Sequence, residues 1–165
     1  MAKALVQIVL GSASDLETAE HCRARLREFG IEYEISISSA HRSPDRTAEL
    51  AKSAERRGIK VLIGMASGAA HLAGVLAAHT VLPVIAVPLT GTPLAGFDAL
   101  LASVQMPPGV PVATVAVGRF GAENAAILAA QILALSDPAL RKKIEEFKSA
   151  LARKVEESDR QLKRD

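Results

Sequence analysis

A proton carrier and an anion-binding side chain are neighbours in the peptide of residues 39–44, which reads Ser-Ala-His-Arg-Ser-Pro. Histidine has an ordinary pKa of roughly 6.5, so His41 is of a type that gives and accepts a proton near neutral pH. Arg42 stays charged and offers a planar set of N–H donors that matches a phosphate group. The pair predicts proton-transfer chemistry on an anionic substrate.

A purely structural interpretation of the same peptide also fits. Ser43 is a residue type that caps helices, and Pro44 suits the first turn of a helix. In that case His41 and Arg42 would be exposed loop residues without a chemical role. The peptide alone leaves both interpretations open.

Alternating strand and helix patterns run along the chain and would position this peptide at the end of a strand. Short apolar runs predict strands, and apolar residues at spacings of three and four predict helices. The predicted strands are 4–10, 33–37, 61–66, 84–87 and 112–117. The predicted helices are 15–29, 44–57, 70–79, 97–105 and 122–135, followed by a final helix from residue 137.

Five strands joined by helical crossovers predict a parallel sheet coated with helices on both faces. The expected fold is therefore α/β, a flavodoxin-like three-layer α/β/α domain with a five-stranded parallel sheet and an extra C-terminal helix. Residues 1–136 would form the main unit, and residues 137–165 a helix of the same domain. The final helix carries a narrow apolar stripe of Leu140, Ile144, Phe147, Leu151 and Val155. This stripe predicts a partner surface, either on its own domain or, as we favour, on another subunit.

The amino-acid composition argues against several classes of function. The chain has 165 residues, 49% of them hydrophobic and 3% aromatic, with a net charge of +2. Basic residues form no stripe and a single Tyr leaves little for base stacking, so we expect no nucleic-acid partner. No apolar run approaches the roughly 18 residues of a membrane span, and the single cysteine forms no internal disulfide. We expect a cytoplasmic protein without a membrane partner.

In open parallel sheets, ligands bind beyond the carboxyl ends of the strands, where the loops at 11–15, 39–43 and 66–71 are expected to converge. The first loop carries Ser12 and Ser14 at a predicted helix start, where free N–H groups favour an anion. Asp15 would repel phosphate, so we assign it to ribose hydroxyls, with helix capping as its alternative role. The small residues of the third loop allow a flat ligand to approach, and His71 there is either structural or a positioning group.

The sequence predicts neither a metal nor an organic cofactor. The histidines and Cys22 show none of the usual ligand spacings. Dinucleotide, P-loop and Gly-x-Ser-x-Gly patterns are missing from the Gly-rich segments.

Several motifs together resemble the 5-(carboxyamino)imidazole ribonucleotide mutase family of purine biosynthesis. The likeness runs in order from about residue 6 to residue 135. Its motifs are Gly-Ser-Ala-Ser-Asp at 11–15, Ser-Ala-His-Arg-Ser-Pro at 39–44, Gly-Ala-Ala-His-Leu at 68–72, Leu-Pro-Val-Ile at 82–85 and Gln-Met-Pro at 105–107.

The resemblance implies transfer of a carboxylate from the exocyclic nitrogen of the aminoimidazole to carbon 4, without ATP, metal or organic cofactor. Carbon dioxide would be released and retained, while His41 shuttles the proton. The family pattern further implies a homo-octamer and a substrate-binding set of Ser12, Ser14, Asp15, Ser39, Arg42, Gly68, Ala69 and His71. The segment 88–96 is a candidate cover for the site, or only a connection.

The third loop departs from the usual mutase pattern at Met65, Ser67 and Ala73. A related carboxylase branch, which takes free carbon dioxide and aminoimidazole ribonucleotide, carries a Ser in this loop. His71, Arg42 and the Gln-Met-Pro motif favour the mutase. A non-catalytic nucleotide- or flavin-binding module of the same fold is a further alternative.

Overall fold

A five-stranded parallel sheet forms the centre of the computed structural model, which describes residues 3–163. The strands lie in the order β2-β1-β3-β4-β5, and each pairing is parallel. This order is that of a flavodoxin-like doubly wound sheet, which confirms the predicted fold. The strands are β1 (Val6–Leu10), β2 (Tyr33–Ile37), β3 (Val61–Ser67), β4 (Val84–Leu89) and β5 (Ala113–Thr114).

Helices cover both faces of the sheet. One aliphatic core joins the sheet to α1 and α5, and a second core joins the opposite face to α2 and α3. Ile8 points into the first core and its neighbour Val9 into the second, as the alternation of a strand requires. Burial on both faces explains why the strands are nearly continuous apolar runs. The helices are α1 (Leu16–Phe29), α2 (Pro44–Arg57), α3 (Leu72–Ala78), α4 (Phe97–Val104), α5 (Gly118–Leu133) and α6 (Pro138–Leu162).

Several element boundaries differ from those that the sequence predicts. The third helix begins at Leu72 instead of residue 70, because Ala70 adopts a left-handed turn with φ 35°. The fifth helix begins at Gly118, four residues before the apolar periodicity, since Arg119 and Phe120 of its first turn are exposed and the glycines beside them add no apolar side chain to the pattern. The last strand shortens to Ala113–Thr114.

The fourth strand runs two residues further than predicted, through Pro88 to Leu89. The carbonyl of Ala86 accepts a hydrogen bond from the Val115 N–H, so alternate residues of β4 face β5. Pro88 faces the same side beyond the end of β5, where its missing N–H costs no ladder hydrogen bond.

The first half of α6 packs on its own domain. Asp137 caps the helix by accepting hydrogen bonds from the N–H groups of Ala139 and Leu140, both at 3.0 Å. Leu140 and Ile144 are each 6% exposed against α1 and α5, and burial of each side chain contributes about 2 kcal/mol. The second half of α6 extends into solvent.

Among the described residues, none of the helices combines the length and the hydropathy that a membrane span requires.

Candidate active site

The loops after β1, β2 and β3 meet at a cleft of about 260 Å³. The cleft lies at the switch point of the sheet, where the crossover from β2 leads to β3 on the far side of β1. Six of the residues predicted for the site line it, namely Ser12, Asp15, Ser39, His41, Arg42 and His71. The convergence that strand positions predict is therefore present in the fold.

The loop after β1 forms a short 3-10 turn over Ala13–Asp15 that the sequence pattern did not predict. The Asp15 carboxylate accepts the Ser12 N–H at 3.0 Å, and the Ser14 N–H points to the Ser12 hydroxyl at 3.4 Å. Asp15 thus has its alternative role as a capping group, and it also lines the cleft. Burial raises the pKa of the Asp15 carboxyl, partly offset by its hydrogen bonds from Ser12 and Ser14.

The loop after β2 is held by Ser43, which does not use its side chain to cap α2. Its hydroxyl accepts the Ser39 N–H at 3.0 Å and donates to the Ser39 carbonyl at 3.1 Å. This closed loop leaves His41 and Arg42 exposed at its tip. The capping interpretation of the peptide is therefore only partly right: Ser43 and Pro44 begin the helix, but the serine side chain shapes the loop.

Arg42 connects the second loop to the first. Its Nη2 atom donates to the Gly11 carbonyl and its Nε atom to the Ser39 hydroxyl, both at 3.4 Å. These are long contacts that leave most of the guanidinium donors available. With the hydroxyls of Ser12 and Ser39 beside it, the guanidinium can bind a phosphate group.

His41 and His71 are in direct contact across the cleft. Nε2 of His41 lies 2.8 Å from Nδ1 of His71, and the ring planes meet at 83°. A hydrogen bond between two imidazoles requires that one nitrogen carry the proton while the other accepts it. The pair can therefore hold a proton that is shared between two loops. Sequence reasoning ranks His71 below His41, because a lone histidine at a helix start is more often structural than catalytic. The contact was missed because 30 residues separate the two histidines and no local signal indicates it.

Three of the predicted site residues do not line the cleft. Ser14 lies behind Ser12 and contacts its hydroxyl at 3.1 Å. Gly68 and Ala69 form the bend of the third loop, where Gly68 has φ +65°. The same loop reaches the cleft through Ser67 and Ala70 on either side of this bend.

The three departures from the mutase pattern occupy different environments. Met65 is fully buried in the sheet, and Ala73 is 3% exposed where α3 packs against β3. Only Ser67 lines the cleft. Among the departures, Ser67 is therefore the one that can influence chemistry.

Within residues 3–163, no cluster of three or more His, Cys, Asp or Glu side chains is arranged to hold a metal ion. Cys22 is buried in the first core, which raises the pKa of its thiol to about 12 and leaves it unreactive near neutral pH.

Comparison with known proteins identifies the family. The family model described as AIR carboxylase matches residues 5–154. The chain belongs to this family. The matched region contains the whole sheet and all three loops of the cleft.

Curated relatives carry the name N5-carboxyaminoimidazole ribonucleotide mutase, an isomerase. The protein of Pyrococcus horikoshii is 51% identical over 160 residues, covering 97% of this chain and 89% of the relative. The protein of Thermotoga maritima is 52% identical over 157 residues, covering 95% and 91%. The protein of Bacillus subtilis is 51% identical over 158 residues, covering 96% and 98%.

Solved structures of the family share the fold. The crystal structure of Treponema denticola PurE has a TM-score of 0.87 at 33% identity, covering 96% of this chain and 98% of that chain. A point variant of Treponema denticola PurE2 has a TM-score of 0.88 at 32% identity, covering 98% and 99%. The resemblance found in the motifs is therefore confirmed over nearly the full length of the chain.

Proposed function

We propose that this protein catalyses carboxyl transfer in purine biosynthesis as an N5-carboxyaminoimidazole ribonucleotide mutase. The observation that carries the proposal is the contact between His41 and His71 in a cleft that also presents Arg42. A proton carrier and an anion-binding group are what transfer on a phosphorylated heterocycle needs. Relatives that are about half identical to this chain bear the name of that activity.

The reaction is a rearrangement in which one proton moves opposite to the carboxyl group. As the bond between the exocyclic nitrogen and the carboxylate breaks, protonated His41 donates a proton to that nitrogen and carbon dioxide is released. Carbon 4 of the ring then attacks the carbon dioxide, and His41 takes the proton that carbon 4 loses. Atoms and charge balance without an oxidant, a reductant or ATP. His71 holds the imidazole of His41 in place between the two proton transfers.

Substrate binding is assigned to the residues around the two imidazoles. Arg42 and Ser39 bind the phosphate, with Ser14 acting from outside the cleft through its contact with the Ser12 hydroxyl, while Ser12 and Asp15 bind the ribose. The bend at Gly68 and Ala69, together with Ala70, bounds the space for carbon dioxide. Confinement matters because an oriented reactant reacts as if at very high concentration, whereas escape returns it to bulk solvent.

The carboxylase of the same family is the second candidate. It is favoured by one observation, the position of the Ser67 hydroxyl at the cleft where the mutase pattern has no side chain. It would use aminoimidazole ribonucleotide and free carbon dioxide in the same cleft. The two candidates share a product and differ in the source of the carboxyl group.

We further assign the protein to the cytoplasm, because phosphorylated nucleotides do not cross membranes and the enzymes that act on them work where the nucleotides are made.

We also assign it to a homo-octamer that uses the second half of α6 as a contact between subunits. Leu151 and Val155 are 50% and 71% exposed and continue the apolar stripe that Leu140 and Ile144 begin. A second subunit would cover them.

The function is tested by supplying two substrates side by side without ATP, and by measuring the carboxylated product. The mutase produces it from the carboxyamino substrate. Product formed only from aminoimidazole ribonucleotide plus bicarbonate would identify the carboxylase instead. Nucleotide binding without turnover of either substrate, or a yellow protein with bound flavin, would identify a binding module.

A further inference from the structure

The segment that follows β4 does not line the cleft itself but packs against Ser67, which does. In the parallel pair of β3 and β4, Ser67 lies beside Leu89, and the chain then turns over the end of β3. A methyl group built on Gly91 would be 2.8 Å from the Ser67 Oγ atom and 2.9 Å from its Cβ atom. The Gly91 backbone is not in the left-handed region, so glycine is required there by space and not by conformation.

Residues 90–96, here named the cover loop, are held by hydrogen bonds within the loop and to the start of α4. The Thr92 hydroxyl donates to Asp98 at 2.7 Å, and the Thr92 carbonyl accepts the Ala95 N–H at 3.0 Å. The loop also reaches the third loop of the cleft, because a methyl group on Gly68 would lie 3.6 Å from the Thr92 side chain. Thr92 thus ties the cover loop to α4 and places it beside the third loop.

Ser67 stands between the cover loop and the cleft. Its side chain is half-buried and lines the cleft on one side while it meets Gly91 on the other. Within the part of the chain that the structure describes, its hydroxyl has no hydrogen-bond partner. The side chain is thus placed as a spacer that fixes the distance between the loop and the end of β3.

We propose that Ser67 is a positioning residue that sets the height of the cover loop through its contact with Gly91, and that this contact controls the escape of carbon dioxide. The inference rests on the proposed mutase function. It adds to that function a residue pair that governs retention of the intermediate. The phosphate and the ribose are assigned to residues of the first and second loops, so a change at the pair is expected to alter retention more than nucleotide affinity.

The test measures how much of a labelled carboxyl group reaches the product. The enzyme is given carboxyamino substrate that is labelled in its carboxyl group, in the presence of excess unlabelled bicarbonate. Retention is the amount of label found in the product relative to the amount of aminoimidazole ribonucleotide that is released. Gly91→Ala is expected to lower retention several-fold with an unchanged KM, because the added methyl group lifts the loop. Ser67→Gly is expected to lower it as well, because it leaves a gap beneath the loop.

The double variant Ser67→Gly with Gly91→Ala should restore retention close to that of the native protein, since the new methyl group fills the space that Ser67 vacates. The matched control is Ser67→Ala with Gly91→Ala. It keeps the Cβ atom at residue 67 and should therefore stay impaired. Circular dichroism verifies that each variant is folded, and Ser67→Gly alone decides the matter if Gly91→Ala does not fold.

Unchanged retention in the folded single variants, or a double variant no better than Gly91→Ala, would overturn the inference. Failure of the proposed function looks different. If the proposed function is wrong, the native protein itself forms no product from the carboxyamino substrate. If only this inference is wrong, the native protein turns the substrate over and the variants retain the label as well as it does.

Discussion

At the scale of single residues, the proposed chemistry of the cleft depends on the contact between His41 and His71. Each imidazole comes from a different loop, and the bend at Ala70 with φ 35° turns His71 towards the second loop. The importance of His41 follows from its neighbours in the sequence, Arg42 above all. The contact with His71 could not be predicted, because it depends on backbone angles in the third loop that no spacing encodes.

The first prediction concerns the proton carrier itself. His41→Asn should lower kcat by about a hundredfold or more, since asparagine cannot take up the proton that carbon 4 loses. Affinity for aminoimidazole ribonucleotide, measured by calorimetry, should stay nearly the same because Arg42 and Ser39 are untouched. Arg42→Gln is the reciprocal control, with affinity expected to fall by about tenfold. A His41→Asn enzyme with the native rate would remove this residue from its role.

The second prediction concerns Asp15 and pH. Burial raises the pKa of its carboxyl, so the folded protein holds this proton more firmly than the unfolded chain does. Below the ordinary pKa of an aspartate, Asp15 is protonated in both the folded and the unfolded protein, so its burial carries no ionisation penalty. As the pH rises through the pKa that Asp15 has in the folded protein, the free energy of unfolding falls.

Asp15→Asn removes this titration and keeps an oxygen for the Ser12 N–H. The free energy of unfolding of the variant, relative to the native protein, should therefore improve between about pH 4 and about pH 7. Urea unfolding at the two pH values measures it. A relative stability that is constant or falls over this range would contradict the account.

At the scale of elements, local signals decide which boundaries the sequence predicts. α2 begins at Pro44 and ends before Gly58, as expected. A proline at the start of a helix and a glycine after its end are signals that can be recognised in the sequence. β5 is shorter than its apolar run, since β4 pairs with it only at Ile85 and Ala86. Such limits depend on the neighbouring strand and are not visible in the run itself.

The third prediction concerns the junction of β5 and α5. A methyl group on Gly121 would lie 1.7 Å from the Ala116 carbonyl oxygen, a backbone atom that cannot rotate away. Gly121→Ala should therefore lower the free energy of unfolding by about 2 kcal/mol or more, measured by urea denaturation.

Gly118→Ala is the matched control for this junction. Gly118 has φ +69° but open space around it, so the substitution costs only backbone strain of about 1 kcal/mol. Equal losses in the two variants would show that the close approach of Gly121 to Ala116 is unimportant.

At the scale of the whole molecule, the pattern of strands and helices was sufficient to predict the layered fold and the edge at which the loops meet. Parallel order places all carboxyl ends together, so the site follows from topology once the strands are known. The packing of α6 was harder to predict, because one half of its apolar stripe packs on its own domain and the other half is exposed. Phe147 meets Phe29 edge to face at 5.5 Å within the domain, while Leu151 and Val155 stay exposed.

The fourth prediction concerns the assembly. Replacing Leu151 and Val155 together with Asp should reduce the oligomeric mass measured by analytical ultracentrifugation, because charges would disrupt an apolar contact between subunits. Arg153→Asp, which lies off the stripe on the same helix, is the control and should leave the mass unchanged. An unaltered mass in the double variant would remove the second half of α6 from the interface.

We infer that the cleft formed by the three strand-end loops holds the substrate with its reacting ring facing an imidazole and its phosphate on a guanidinium. The most direct test is a crystal structure of the protein with aminoimidazole ribonucleotide. We expect the phosphate at Arg42 and Ser39 and carbon 4 of the ring beside His41. A nucleotide bound away from this cleft, or turned so that carbon 4 points away from His41, would contradict it.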